Sequence, residues 1–221
     1  AMSQSNGTLV NDNEGFEAPN VGQIPFPNPT HPQHFVWNFR MNSSYVSNVA
    51  RVGTSTNVAA DGSIVIGQQV TDIVFPRNPN TISQYADPNI YAMFMQKNLG
   101  PPRSAGTTTL VHDFIDSYVQ PRKAWQYNPA TRRVRRAPDI TYDTVLLAGG
   151  GVVVVDQYGG FNGAQDKYDW SYEGTRKMIV PAGNEALAEN ALETTHQQYH
   201  LNPDYVRYEE RDVHVVHANL K

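Results

Sequence analysis

The densest chemistry in the chain is Arg132-Arg133-Val134-Arg135-Arg136, four guanidinium groups within five residues. Arginine meets carboxylates and phosphates through paired N–H donors, so Arg133 and Arg135 are candidates for contacting an anionic head group or an acidic partner. On a strand these two would point one way and Arg132, Val134 and Arg136 the other. The plainer reading is a solvated hairpin whose arginine stems cover neighbouring aromatic rings. Histidines come in three close pairs. His196 and His200, with Glu193 just before them, have the spacing of a helical zinc site. Leu201-Asn202-Pro203 ends a helix there, however, and no further zinc signature follows, so no metal is expected. His214 and His217 fall on opposite faces of a strand and His31 and His34 straddle a helix start, which reads as polar surface and capping. The glycine-rich stretches 149–156 and 159–163 lack both the strand–glycine–helix order and the Gly-Lys-Ser/Thr of phosphate loops. They read as tight turns steadied by Asp156, Asn162, Asp166 and Asp169. Calcium through those oxygens is the weaker alternative, because the usual ion-loop spacing is missing. There is no cysteine and no Gly-x-Ser-x-Gly elbow. Asp113 and Asp116 fall on opposite strand faces, and Asp139 and Asp143 read as loop acids. The expectation is a protein that is not an enzyme and needs no cofactor.

Charge and length restrict the partners. The 221 residues carry a formal net charge of −4, and only 17% are charged. That gives no basic field for nucleic acid and no polybasic run for anionic membranes. The longest apolar run, Val152 to Val155, is far below the ~20 residues of a spanning helix. No linker divides the chain, so a flexible arm over 1–20 and one β-rich domain over 21–221 are expected.

The elements that must position these groups follow from local pattern. Five prolines between residues 19 and 32 predict an extended, wrapping segment. Thr30 and Pro32 open a helix in which Phe35 with Phe39, and Trp37 with Met41, stand four apart on adjacent faces. Residues 45–58 and 63–75 flank Asp61-Gly62, a hairpin signal. Residues 90–97 and 107–119 predict a second hairpin. Residues 124–127 and 133–137 form a third around Asn128-Pro129. Strands over 171–180 and 205–220 complete a mostly antiparallel meander, and a helix is expected over 185–194. Several strands are apolar on both faces, which implies either core on both sides or helices on one side and a ligand cavity on the other. Met93, Phe94, Met95, Phe114, Trp125 and Tyr127 are the cavity candidates, methionine being adaptable to acyl chains.

Four segments in order carry a family resemblance: Gly22-Gln-Ile-Pro-Phe-Pro27 before an aromatic helix, Trp125-Gln-Tyr-Asn-Pro129 returning through arginines, Phe161-Asn-Gly-Ala-Gln-Asp-Lys-Tyr-Asp-Trp170, and Asn202-Pro-Asp204 with Arg207-Tyr208-Glu209. Together the chain resembles a family of uncharacterised bacterial periplasmic proteins described as outer-membrane lipoprotein-sorting-like, related to the LolA/LolB lipoprotein carriers. The resemblance implies an α+β, mainly β fold: a curved antiparallel sheet, an open half-barrel, with a few plugging helices. It implies a non-catalytic periplasmic carrier for a lipid, acyl chain or lipoprotein anchor, working with an envelope transporter or outer-membrane protein. The alternative is a structural, protein-interaction module of an envelope complex with no such cavity. Relatives carry secretory leaders, so a removed leader is expected here. They also continue past residue 221, so the chain is either trimmed or a short member; if trimmed, an exposed strand edge invites a homodimer.

Overall fold

The computed structural model describes residues 7–10, 15–17, 24–41, 48–58, 61–76, 78, 87, 89–138, 140–141, 143–145, 153–157, 160–197 and 200–221. Glycines 149–151, Asp139 and residues 1–6, 11–14 and 18–20 of the proposed N-terminal arm lie outside them.

Six strands form one antiparallel meander in sequence order: β3 (Asn48–Val58), β4 (Ile64–Val74), β5 (Ile90–Gly100), β6 (Thr108–Phe114), β7 (Lys123–Asn128) and β8 (Arg133–Arg136). The sheet does not close into a barrel. The turn chemistry acts as the sequence requires. Gly62 has a positive φ of 82°, and Asp61 Oδ1 accepts the Ser63 N–H at 2.9 Å. Asn128 Oδ1 accepts the N–H groups of Ala130 and Thr131. Arg132 takes a positive φ of 53° and belongs to this turn, leaving Arg133–Arg136 as the strand. Two departures from the expected meander have local causes. β6 stops at Phe114, because Asp116 captures the N–H of Val119 and the chain turns. β9 (Tyr168–Pro181) and β10 (Tyr208–Leu220) pair with each other in a separate ribbon and do not join the large sheet. The helix expected over 185–194 is two short ones, α2 (Glu185–Glu189) and α3 (Leu192–Thr195); between them Asn190 Nδ2 donates to the Ala186 carbonyl. A small ribbon pairs β1 (Thr8–Val10) with β2 (Gly15–Glu17).

The core gathers around helix α1 (Pro32–Met41). Pro32 supplies the preset φ of a first helical residue, and the start is capped by His34, whose Nδ1 accepts the N–H groups of Thr30 and His31. Asn38 locks the preceding extended segment by exchanging two hydrogen bonds with the backbone of Phe26. Trp37 and Met41 are buried with Phe26, Phe75, Tyr91, Ala92 and Ile115. The opposite side of the helix meets other elements: Phe35 stacks on Tyr172 of the ribbon at 4.5 Å, and Phe39 lies over Gly160. Gly160 has a φ of 104°, and a Cβ there would stand 2.7 Å from the Phe39 ring, so both backbone and space demand glycine. A second cluster, Val111, Ala124 and Ala137, packs with Phe94 and Ile140. No helix among the described residues is long and apolar enough to cross a membrane.

Trp37 is fully buried whereas Phe39 is 53% exposed. Trp37→Ala should lower the free energy of unfolding in urea by about 3–5 kcal/mol, and Phe39→Ala by about 1 kcal/mol or less.

Candidate functional site

One pocket of about 130 Å³ opens where the end of α1, the β6–β7 turn and the 162–166 loop converge. Arg40, Asp113, Phe114, Tyr118, Arg122 and Asn162 are among its walls. Its anchor is an ion pair between Asp113, at the inner end of β6, and Arg122, just before β7. Their side chains are 6% and 10% exposed. Arg122 Nε and Nη2 reach the two carboxylate oxygens, so the contact is bidentate. Nη2 also donates to the carbonyl and Oδ1 of Asn162 at 2.9 and 2.8 Å. Tyr91 continues the chain: its hydroxyl donates to Asp113 Oδ2 at 3.4 Å and accepts from Arg40 Nη2 at 2.8 Å. Burial pushes the Tyr91 phenol up, which keeps it a neutral donor. Burial alone would lower Arg122, but the Asp113 carboxylate and its hydrogen bonds outweigh that and hold the guanidinium proton more firmly than usual.

Local structure explains why these groups meet. Asn89 accepts the Asp116 N–H through its side chain and the Ile115 N–H through its carbonyl, fixing the turn that carries Arg122 back. The segment 161–170 folds into an aromatic knot. Phe161 meets Trp170 edge-on at 5.3 Å, Trp170 Nε1 donates to the Gln165 carbonyl, and Tyr168 donates to Asp156 Oδ2. The knot presents Asn162 to Arg122. Asp156 and Asn162 therefore steady a loop, while Asp166 lines the pocket and Asp169 sits on β9.

The register of the sheet sorts the sequence candidates. Met95 pairs with Leu110 and Leu110 with Trp125; Met93 pairs with His112, and Tyr127 with Thr108. Cross-strand partners share a face, so Met93, Met95, Trp125 and Tyr127 lie on one face. Phe94 pairs with Val111 and is on the other, packed into the second core cluster on the α1 side. Phe114 is buried, with Lys123 Nζ 4.8 Å over its ring, and it lines the pocket. Arg133 and Arg135 pair with Asn128 and Gln126, which puts both on the Phe94 face, solvent-exposed. They cannot share a pocket on one face with Trp125 and Tyr127, and they do not cover those rings. His196 follows the end of α3 and contacts Thr195, and His200 contacts the Leu201 carbonyl, so neither stands on a helix. Among the described residues no group of three or more histidines and carboxylates could hold a metal.

The model for a family described as "Protein of unknown function (DUF1329)" matches residues 2–221. The chain belongs to the DUF1329 family. It is 32% identical over 210 residues to the uncharacterized protein PA3922 of Pseudomonas aeruginosa, a match covering 94% of this chain and 45% of that protein. The chain thus spans less than half the length of that curated relative. Two solved structures share partial likeness. One is a "putative outer membrane lipoprotein-sorting protein domain" from Vibrio parahaemolyticus, with TM-score 0.42 and 13% identity over 59% of this chain and 47% of that one. The other is a DUF1329 family protein from Desulfovibrio piger, with TM-score 0.41 and 17% identity over 58% and 48%. The motif-based assignment to a family of uncharacterised proteins agrees with the family match.

By type and spacing the sequence sets Asp113 only beside Asp116, on opposite strand faces, and does not mark Arg122. The available signal was a lone acid inside the apolar run 110–115, which demands a buried cationic partner.

Two measurements probe this DUF1329 member's site. Asp113→Ala leaves Arg122 buried and unpaired and should cost about 3–5 kcal/mol in urea unfolding, while Asp113→Leu combined with Arg122→Met should recover most of it. His34 stacks on Phe26 at 4.0 Å, and His112 meets Trp125 edge-on at 5.1 Å. Burial holds both below the ordinary 6.5, with His31 adding to the effect at His34 and Lys123 at His112. The unfolded chain therefore takes up these protons first, and stability is lost as pH falls through that value. Thermal unfolding followed from about pH 7.5 to 5 should show a shallower loss of Tm in His112→Gln than in the parent protein.

Proposed function

We propose that this protein is a non-catalytic carrier or binding module of the bacterial envelope, acting in the periplasm, that holds the acyl portion of a lipid or lipoprotein anchor on its sheet. The observation that carries the reading is the sheet face turned away from α1. Val70, Met93, Met95, Leu110, Trp125, Tyr127 and Val134 line it in register, and Met95 and Val134 are 44% and 65% exposed. An antiparallel sheet in water ordinarily shows polar side chains on its uncovered face. Met95, Leu110 and Trp125 make an unbroken apolar row across three strands of it, set among Asp72, Lys97, His112 and Arg136 on the same face, and an apolar strip exposed within a polar rim marks a binding site. Methionines beside an indole and a phenol suit a flexible chain with a polar end. The motif resemblance to LolA/LolB-related proteins supports the same ligand class. Binding would proceed by desolvation and shape, with release to an envelope transporter or outer-membrane acceptor.

A second reading, a protein-interaction module, is favoured by the β9–β10 ribbon. A two-stranded ribbon is marginal in water by itself, and Ile179, Tyr208 and Leu220 on this one are 74%, 61% and 72% exposed. A second copy or an envelope protein could cover them.

Native mass spectrometry of freshly purified protein, paired with organic extraction, separates the two. The carrier reading expects a stoichiometric lipid or fatty acid, with loading reduced about tenfold in Met95→Asp at unchanged fold, since each 1.4 kcal/mol of lost apolar contact is a factor of ten. A clean apo mass that persists after incubation with phospholipids and fatty acids would overturn it in favour of the interaction reading.

A further inference from the structure

The pocket under α1 carries more cationic donor capacity than its own structure uses. Asp113 offers two oxygens, and both are taken by Arg122 and Tyr91. Two guanidiniums line the pocket and share that carboxylate, with the Asp156 carboxylate also acting on Arg122. Among the described residues Arg40 makes a single hydrogen bond, from Nη2 to Tyr91, and its Nε is buried with no acceptor. Among the described residues Arg122 Nη1 also has no acceptor, since all of that residue's hydrogen bonds leave from Nε and Nη2, but unlike Arg40 Nε it is not buried. A plainer account of Arg40 exists. Its guanidinium carbon lies 4.7 Å from the Trp37 ring centre and 5.2 Å from that of Tyr91, and it sits in the last turn of α1, where a cation is favoured. Stacking uses the π face of a guanidinium and leaves the in-plane N–H donors unspent. A buried donor without a partner is costly.

We propose that this pocket binds a singly charged oxyanion, a carboxylate or phosphodiester head group, gripped by Arg40 from α1 and Arg122 from the β6–β7 turn. A singly charged anion meets the donors that Arg40 and Arg122 leave unspent, and the Asp156 carboxylate, which also acts on Arg122, disfavours a higher charge. Asp166, the other acid in the wall, is solvent-exposed and its charge is screened by water. Thr141 offers a hydroxyl on the same wall. The volume of about 130 Å³ exceeds many times the ~10–15 Å³ that one water needs, but falls short of the ~300 Å³ at which sites for larger ligands begin. It therefore takes a head group and not a chain. Phe114, Pro121 and the 72%-exposed Tyr118 give the first carbons an apolar way out. The proposal deepens the carrier reading and rests on it only for the identity of the attached chain; the anion site itself stands on the pocket.

The test is NMR titration of the arginine Nε–H resonances with acetate, dimethyl phosphate and decanoate, against sodium chloride at equal ionic strength. The expected result is saturable movement of the Arg40 and Arg122 signals with acetate or dimethyl phosphate and none beyond screening with chloride. In Arg40→Met, which keeps the stem against Trp37, affinity should fall about tenfold, the loss expected when a charge-assisted hydrogen bond is removed. Should that variant fail to fold, Arg40→Lys keeps the charge without the fork and should bind several-fold more weakly than the parent. Tighter binding of decanoate than of acetate identifies a lipid as the source of the head group, and equal binding identifies a small free anion; either upholds the site. Movement no larger than chloride produces, or unchanged affinity in both Arg40 variants, overturns it. Saturable acetate binding in a protein that never retains lipid would sink the carrier reading and leave the anion site intact.

Discussion

The ion pair between Asp113 and Arg122 is the constraint around which the molecule is arranged. Taking both charges out of water is expensive, and their attraction compensates only if every remaining donor and lone pair finds a partner. Meeting that demand recruits distant parts of the chain. Tyr91 comes from β5, Asn162 from the loop before the ribbon, and Arg40 from α1 through the tyrosine hydroxyl. A polar network of this kind specifies one arrangement of these segments, since a slip in any of them would strand a buried charge. The same requirement leaves a cavity at its edge, because a guanidinium that is full on one side presents its other side to whatever lies next to it.

Helix α1 supplies the apolar counterpart. Ten residues are too few to be a stable helix in isolation, so packing holds it, and it packs in three directions. Trp37 and Met41 enter the main core, Phe35 meets the ribbon, and Phe39 closes over Gly160. The helix thus fixes how the six-stranded sheet, the ribbon and the 160–166 loop come together, and Arg40 at its last turn couples this apolar joint to the ionic one.

The sheet itself gives the two faces different roles. Val49, Ile73, Phe94, Val111 and Ala124 follow one another across five strands on the side of α1 and belong to or pack on the core clusters. One residue further along each strand the side chains emerge on the opposite face, which no described element covers with a core. Apolar residues on both faces were plain in the pattern of strands such as Ile90–Gly100, but which face received the helix was not, since a register shift of one residue exchanges them. The bulge between Ile90 and Ala92 moves the register of β5 against β6 at the end where the pocket forms, and no local sequence signal marks it.

Much of the local chemistry was legible, though not the turn at Asp116 that ends β6 or the break between α2 and α3. Asp61-Gly62 and Asn128-Pro129 dictated their turns, Pro32 the start of α1, and alternating or doubly apolar runs the strands; each depends on φ preferences and side-chain periods that a few neighbouring residues decide. The family was legible as well, through four ordered motifs, one of which proves to be the aromatic knot that carries Asn162. What only the tertiary structure decided is everything that depends on long-range closure. It separated β9 and β10 from the main sheet, put Arg133 and Arg135 on the face away from Trp125 and Tyr127, and joined Asp113 to Arg122, Tyr91 and Arg40. Charges and rings that lie 9 to 51 residues apart in sequence meet because burial makes an unpaired charge intolerable, and that requirement names the kind of partner a residue needs without saying where in the chain it will be found.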